Sequence, residues 1–549
     1  RFDAAYDAFY KAVWNAAWQD AAYFELARID SRSGRTAEAL AHVEAALARN
    51  GRHHAARHLH VALLRRLERD DEARAALKAG LALDPMNYGL HYERFLLDGD
   101  DGFRALLQDK VYNYIEVALD YAHAGLFGEA AQLLLATPPT DPMVFYYLGW
   151  VHLQAGDAAG AAEAFARAAK MAPDFCFPNE VECVPALQAA SAHHPADARA
   201  PYYLGNFWYA HRRYNEAIDC WERSVALDPT FATVQRNLGI AYVNKRGDLA
   251  RGRACYAAAF ALDPHDARIL FEADQLDKKL DVAPAQRLAH LAAHADLVAQ
   301  RDDLTVEYVT LLNLLGNHAE ALERLLARTF HPWEGGEGKT TGQYVIALVG
   351  LAKARLDAGD PAAAIELLER ARIYPPNLGE GKLHGARENH IDYYLGCAYA
   401  DLGDDARAAQ HWRAATAGST EPAAALYYND QPPEMIFYQA LAHRRLGNHA
   451  EAAAIAQKLV DYGETHLHDA ATMDYFAVSL PDFVVFEGDL QRRHRLHCLF
   501  MAGLGYLARG DAEQARARFD AVLAEDPAHV GAVMHQKTDQ LSFFFTNAH

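Results

Sequence analysis

The sequence predicts an all-α chain: a right-handed solenoid of about eleven stacked helical hairpins, with long loops gathered on one edge of its C-terminal half. Three observations carry that expectation. One pattern of small and large apolar residues returns at a spacing of 34 residues. No segment alternates for long with the period of two that marks a strand. Several units end in Asp-Pro, and a proline cannot continue a helical hydrogen-bond ladder.

The pattern is clearest in YYLGWVHLQAGDAAGAAEAFARAAKMAPD and YYLGNFWYAHRRYNEAIDCWERSVALDPT. In the first, Leu148 and Gly149 are followed by Ala161, Phe165, Ala168 and Pro173. In the second, Leu204 and Gly205 are followed at the same offsets by Ala217, Trp221, Ser224 and Pro229. Leu238 and Gly239 come 34 residues after Leu204 and Gly205, and that unit ends at Pro264 after one inserted residue. This spacing resembles the tetratricopeptide repeat (TPR). The resemblance implies two antiparallel helices per unit, brought close by small residues such as Gly205 and Ala217. Trp208 and Trp221 fill the space between helices, and Asp228-Pro229 ends the second one. One hairpin cannot bury its apolar face alone, so neighbours must stack.

The remaining units follow in order. Ala27, Ala39 and Ala46 mark an early one; Val61, Ala73 and Asp84-Pro85 mark the next; Ala118, Tyr121 and Ala130 mark another. Further along, units centre on Ala321, Ala364 and Ala452, with a closer match at Gly396, Tyr399, Ala408 and Trp412. Gly503, Tyr506, Ala515, Phe519 and Pro527 close the array. The expected organisation is N-terminal units over 1–175, an inserted helix or spacer over 176–200, central units over 201–300 and C-terminal units with long loops over 301–549. The added helix is expected from about Asn179 to His193.

Composition narrows the function. The 549-residue chain exceeds the size at which one compact core keeps growing, as an extended repeat does. Its apolar content of 51% argues against disorder, and no apolar run approaches the roughly 18 residues of a membrane helix. The formal net charge of −20, with no basic stripe to offset it, disfavours nucleic-acid partners. Six scattered cysteines without a C-x-x-C pair suit reduced thiols, and hence a cytoplasmic location. The start at Arg1 rather than Met suits a piece of a longer or processed chain. The oligomeric state is not legible.

The loops carry the functional expectation. Four successive units end in long connections: FHPWEGGEGKTTG, YPPNLGEGKLHGAREN, STEPAAALYYNDQPPEM and HLHDAATMDYFAVSLPDFVVFEGDLQ. Each follows the second helix of its hairpin, so all four are expected on one edge, where repeat proteins collect insertions. Glu337-Gly-Lys339 should then lie beside Glu380-Gly-Lys382. The rim carries aromatic residues together with carboxylates, a mixture that holds sugars by ring stacking and by hydroxyl hydrogen bonds. Trp333, Lys339, Lys382, Tyr428 and Asp430 are the first candidate ligand contacts, and Glu434, Asp474, Tyr475 and Asp482 continue the set. Tyr374, Tyr427 and Phe486 belong to the same rim. Glu334, Glu337, Glu380 and Glu388 are the candidate acid/base residues, since paired carboxylates roughly 5–10 Å apart cleave glycosidic bonds. A plainer reading stands beside this one. The glycines supply positive φ, the Glu caps a helix start, the Lys pairs with a carboxylate, and the aromatics fold the loops onto the solenoid.

Other motifs are weaker. His54 and His58, or His494 and His497, have the spacing of metal ligands but lack a third partner, so no metal is expected. GEGK lacks the strand and the full spacing of a phosphate-binding loop, and there is no G-x-S-x-G elbow. The sequence calls for no cofactor. Binding of acidic peptide termini would need basic clamps, and this surface is acidic.

Several stretches also resemble a group of long bacterial TPR proteins: NYIEVALDYAHAGLFGEA, NLGIAYVNKRGD, RDDLTVEYVTLLNLLG, FHPWEGGEGK, NLGEGK and DYFAVSLPDFVVFEGDLQRRHRLHCLFMAGLGYL. In that group the array follows an N-terminal β-rich domain, often classed as domain of unknown function 5107, that is similar to sugar-handling β-sandwiches. The resemblance implies a scaffold in carbohydrate metabolism, whose partner is another protein or the N-terminal domain absent from this chain, with a saccharide as a further ligand. The alternative is a carbohydrate-active, glycoside hydrolase-like enzyme whose site the acidic-aromatic loops complete. The resemblance supplies no catalytic residue.

Overall fold

The structure is a computed structural model that describes residues 2–333, 336–424, 431–471 and 485–536. Among the described residues there is no strand. A helical hairpin stands wherever the sequence pattern marks one, from Gln19–Arg32 with Thr36–Arg49 to Leu490–Arg509 with Ala512–Glu525. The chain divides into two compact units, Arg1–Leu238 and Gly239–His549.

In the first unit the repeat's chemistry is visible at Gly205. The helix Arg199–Ala210 crosses Tyr214–Leu227 so closely that a Cβ on Gly205 would lie 2.4 Å from Trp221 Nε1. The indole N–H donates to the Tyr202 carbonyl at 3.2 Å, and Trp221 is only 3% exposed. Glycine is therefore required by close approach, not by backbone conformation. The same contact recurs wherever a glycine precedes an aromatic residue by sixteen positions: Gly149 with Phe165, Gly396 with Trp412, and Gly503 with Phe519. Gly205→Val is expected to displace the indole and cost about 1–3 kcal/mol, the usual overpacking range. A urea titration followed by tryptophan fluorescence reads this, and an unchanged midpoint would refute the packing account.

Asp-Pro ends the second helices as expected. Asp228 leaves the helical region at φ −135°, and its carboxylate accepts the Thr230 amide at 3.0 Å. The inserted helix runs over Cys183–His193, starting four residues later than the sequence suggests. Pro185 then falls in the first turn, where its missing N–H leaves no hydrogen bond unmade. Ahead of it, Phe175 holds a positive φ of 58°.

The second unit absorbs the one inserted residue of the Gly239 repeat in a π turn, Tyr242–Arg246. That turn moves the aromatic partner from sixteen to seventeen positions along, yet Tyr256 still closes on Gly239. From Asp302 to Glu525 the hairpins share one apolar core that includes Leu304, Leu348, Tyr394, Phe437 and Met501. The long connections all follow second helices: after Leu326, Ala371, Ala415 and Thr465.

Candidate functional site

The first two loops lie against each other. The Phe330 amide donates to the Asn377 carbonyl at 2.7 Å, and the Asn377 side-chain amide donates to the carbonyls of Leu325 and Arg328. Gly379 adopts φ +78°, and a Cβ there would meet the Phe330 carbonyl oxygen at 2.5 Å. Both glycine requirements, positive φ and close approach, coincide at this residue.

Glu380 crosses to the neighbouring loop and caps its helix. Its carboxylate accepts the Gly338 amide at 3.0 and 3.1 Å and the Thr341 hydroxyl at 3.0 Å, at the start of the helix Lys339–Asp357. A carboxylate is favoured there because the first helical amides have no partner within the helix. The cap thus comes from the loop that ends the same hairpin, instead of from Glu337 just ahead of the helix, which is exposed. Glu380→Ala is expected to cost about 0.5–2 kcal/mol, with Glu380→Gln recovering much of it, because the amide oxygen still accepts. Hydrogen exchange in the first turn after Gly338 is the readout; equal protection in all three proteins would count against the cap.

The other candidates are placed as follows. Lys382 forms an ion pair with Glu388 and donates to the Arg372 carbonyl at 3.2 Å. Arg372 stands 4.0 Å from Glu388 and pairs with Asp392, which also contacts His411 Nδ1 at 2.9 Å. Lys339 opens its helix and is exposed. Trp333 packs on the core and over Gly336, and Tyr374 meets Tyr344 edge to face at 6.5 Å. Both rings fold inward. Glu434, in the first turn of Pro433–Arg445, is held above the usual carboxylate range by burial. Glu334, Tyr427, Tyr428, Asp430, Asp474, Tyr475 and Asp482 lie outside the described residues.

Phe486 departs from the rim reading. It is 7% exposed and inserted among Val243, Tyr256, Ala259, Ile269 and Leu276, at the other end of its unit. The end of the fourth loop therefore packs on the helices that open its unit, where an apolar pocket takes the Phe486 ring out of water, while Gln491 bonds back to Asp469 and Ala471 near the loop's start.

The sequence reading also missed a polar seam in the second unit. Tyr394 and Tyr438 share a hydrogen bond at 3.2 Å, and Tyr438 approaches His535 Nε2 at 3.4 Å. His390 stacks obliquely near Tyr438, its imidazole pushed down to about 4 by burial, and burial brings His535 to about 3. No spacing in the sequence announces this, since the residues come from three different helices. The histidine pairs weighed as metal ligands have other partners. His54 Nδ1 stands 3.0 Å from Asp84, His494 Nε2 meets the His466 carbonyl at 2.7 Å, and His497 Nε2 meets that of Ala423 at 2.9 Å. Among the described residues no group of three or more His, Cys, Asp or Glu side chains could hold a metal ion. None of the described helices is long and apolar enough to cross a membrane.

Hairpins closed by glycine–aromatic contacts, with insertions after their second helices, define an α-helical repeat scaffold. The chain belongs to the tetratricopeptide-repeat family. A tetratricopeptide repeat model matches residues 24–88, 118–174, 315–377, 349–422 and 500–536, and a second one matches 434–462. A model described as TPR repeat matches 205–246, so that together the matches span more than half of the chain. Tetratricopeptide repeat protein 37 of Xenopus laevis is 29% identical over 189 residues, which is 31% of this chain and 12% of that relative's length. Among solved structures, a tetratricopeptide repeat protein from Parabacteroides merdae is 14% identical, covering 50% of this chain and 91% of its own, with a TM-score of 0.24. The TPR domain of P58(IPK) is 10% identical, covering 96% and 98%, with a TM-score of 0.21. The chain is thus a TPR scaffold, a class that binds protein partners.

Proposed function

We propose that this chain is a scaffold whose loop-bearing edge binds a partner domain, in the setting of carbohydrate metabolism. The observation that supports a scaffold over a glycoside hydrolase-like enzyme is the use made of the rim carboxylates. Glu380 is committed to capping a helix and Glu388 to Lys382 and Arg372. A general acid and base must instead be free to exchange protons with substrate. The carbohydrate setting and the choice of partner, the β-rich N-terminal domain of the bacterial group, rest on the resemblance of FHPWEGGEGK, NLGEGK and the neighbouring stretches. A saccharide would then be a secondary ligand of the same edge.

The test mixes this chain with the separately produced β-rich domain and follows them by size-exclusion chromatography. Co-elution that charge reversal at Lys339 and Glu337 weakens is expected; independent elution sinks the partner assignment. In parallel, sugar release from an oligosaccharide panel is expected to be absent, and the same for wild type, Glu337→Gln and Glu380→Gln. Release abolished by either substitution would restore the enzyme.

A further inference from the structure

The segment that ends the fourth long loop is bound to the start of its unit as a ligand would be. The Asn244 side-chain amide donates to the Val485 carbonyl at 2.9 Å, and its Oδ1 accepts the Glu487 amide at 3.0 Å. One amide thus reads the backbone on both sides of Phe486. Between these bonds the Phe486 ring enters the apolar pocket and meets Tyr256 edge to face at 5.9 Å and 81°. Lys245 pairs with the Glu487 carboxylate, and Lys279 donates to the Glu487 carbonyl at 2.7 Å. Just beyond, Arg492 meets Asp281 at 2.9 Å.

Three features of this arrangement are those of peptide recognition. Backbone hydrogen bonds hold the segment whatever its sequence, a pocket selects one aromatic side chain, and the Lys245 ammonium selects an acidic neighbour. Asn244 itself sits in the π turn Tyr242–Arg246, the product of the one inserted residue in that repeat. π turns are rare, and they concentrate at functional sites. Around the pocket, a chain of net charge −20 places Lys245 on the Glu487 carboxylate and Lys279 on the Glu487 backbone carbonyl.

We propose that the pocket formed by the π turn and the helices Leu249–Leu262 and Ala267–Lys279 recognises aliphatic-Phe-Glu segments. Val485-Phe486-Glu487 is its built-in occupant, and a partner protein carrying the same motif displaces it. The proposal draws on the protein-binding reading only in that the incoming segment belongs to a protein.

The experiment uses a fluorescein-labelled VVFEGDL peptide and the full chain in three forms: wild type, Phe486→Ala and Glu487→Pro. Both substitutions weaken the internal occupant and leave the pocket intact. The peptide is expected to bind either variant at least about tenfold more tightly than wild type, a difference of roughly 1.4 kcal/mol. Adding Asn244→Ala to either variant should remove that gain, and the peptide VVAEGDL should not bind. Equal affinity for all three chains, or binding indifferent to Asn244→Ala, overturns the proposal. If Phe486→Ala does not fold, Glu487→Pro carries the test alone. Because the probe is a synthetic peptide, a negative result here leaves co-elution with the β-rich domain unaffected, so the two readings fail separately.

Discussion

Arg287→Ala is expected to destabilise the second unit by about 3–5 kcal/mol, the range for breaking a buried ion pair from one side. The guanidinium is 2% exposed and binds Asp274 in two parallel bonds, Nε to Oδ1 at 3.0 Å and Nη2 to Oδ2 at 2.6 Å. Nη2 also donates to Glu307 at 3.1 Å, and Lys278 holds the other Glu307 oxygen at 2.9 Å. Truncating Arg287 leaves Asp274, itself 2% exposed, without its counter-charge. Restoring neutrality with Arg287→Met and Asp274→Leu together should recover most of the loss, since an apolar pair of similar volume often matches a buried ion pair. Urea unfolding followed by circular dichroism measures both proteins. A single variant as stable as wild type would show that the pair is not desolvated. Because repeats contact only their neighbours, exchange protection should fall first between Ala267 and Leu326.

The second large effect is on pH. Burial pushes the His535 imidazole down to about 3 and that of His390 to about 4, the latter against the pull of Asp392. Lys353 and His529 lower His535 further, as does His390 itself. The unfolded chain takes up a proton at each histidine near pH 6.5, whereas the folded chain does not. Stability is therefore complete above about pH 6.5 and falls as pH drops, until the folded values are reached. Each histidine contributes about 1.4 kcal/mol per pH unit in that window, or about 2 kcal/mol by pH 5. Glu307 adds a later loss. Burial alone would raise its carboxyl, but Lys278 and Arg287 hold it down to about 2, so its contribution disappears between about pH 4.5 and 2. Between pH 6.5 and 5 the imidazoles of His60, His123, His497 and His529, also held down by burial, add to the same decline. His535→Phe should remove its own share of that decline, about 2 kcal/mol by pH 5, as read from urea midpoints over the interval. A flat profile for wild type would show that the rings are solvated.

The loops show where the sequence is legible and where it is not. The unit pattern at Leu204, Gly205, Ala217 and Trp221 fixes which residues must touch, because a glycine and an indole sixteen positions apart meet only if two helices turn back on each other. The adjacency of the two GEGK stretches follows from the same regularity: loops at equal places in successive repeats are neighbours. That Glu380 caps the preceding loop's helix does not follow, since either Glu337 or Glu380 could reach those amides by spacing alone. The destination of Phe486 was still less accessible. Its neighbours in sequence are rim-like, while its pocket lies over 200 residues earlier, at Val243 and Tyr256. Asn244 could have been suspected from the inserted residue in its repeat, which already required an irregular turn.

By itself the sequence determined the repeat, its helices and the places where loops interrupt it. These depend on local periodicity and on contacts within one hairpin or between adjacent ones. Only the tertiary structure decided the partners of Glu380, Arg287, His535 and Phe486. Each side chain spends its charge, proton or apolar area on residues brought close by stacking, and no short-range pattern encodes that proximity.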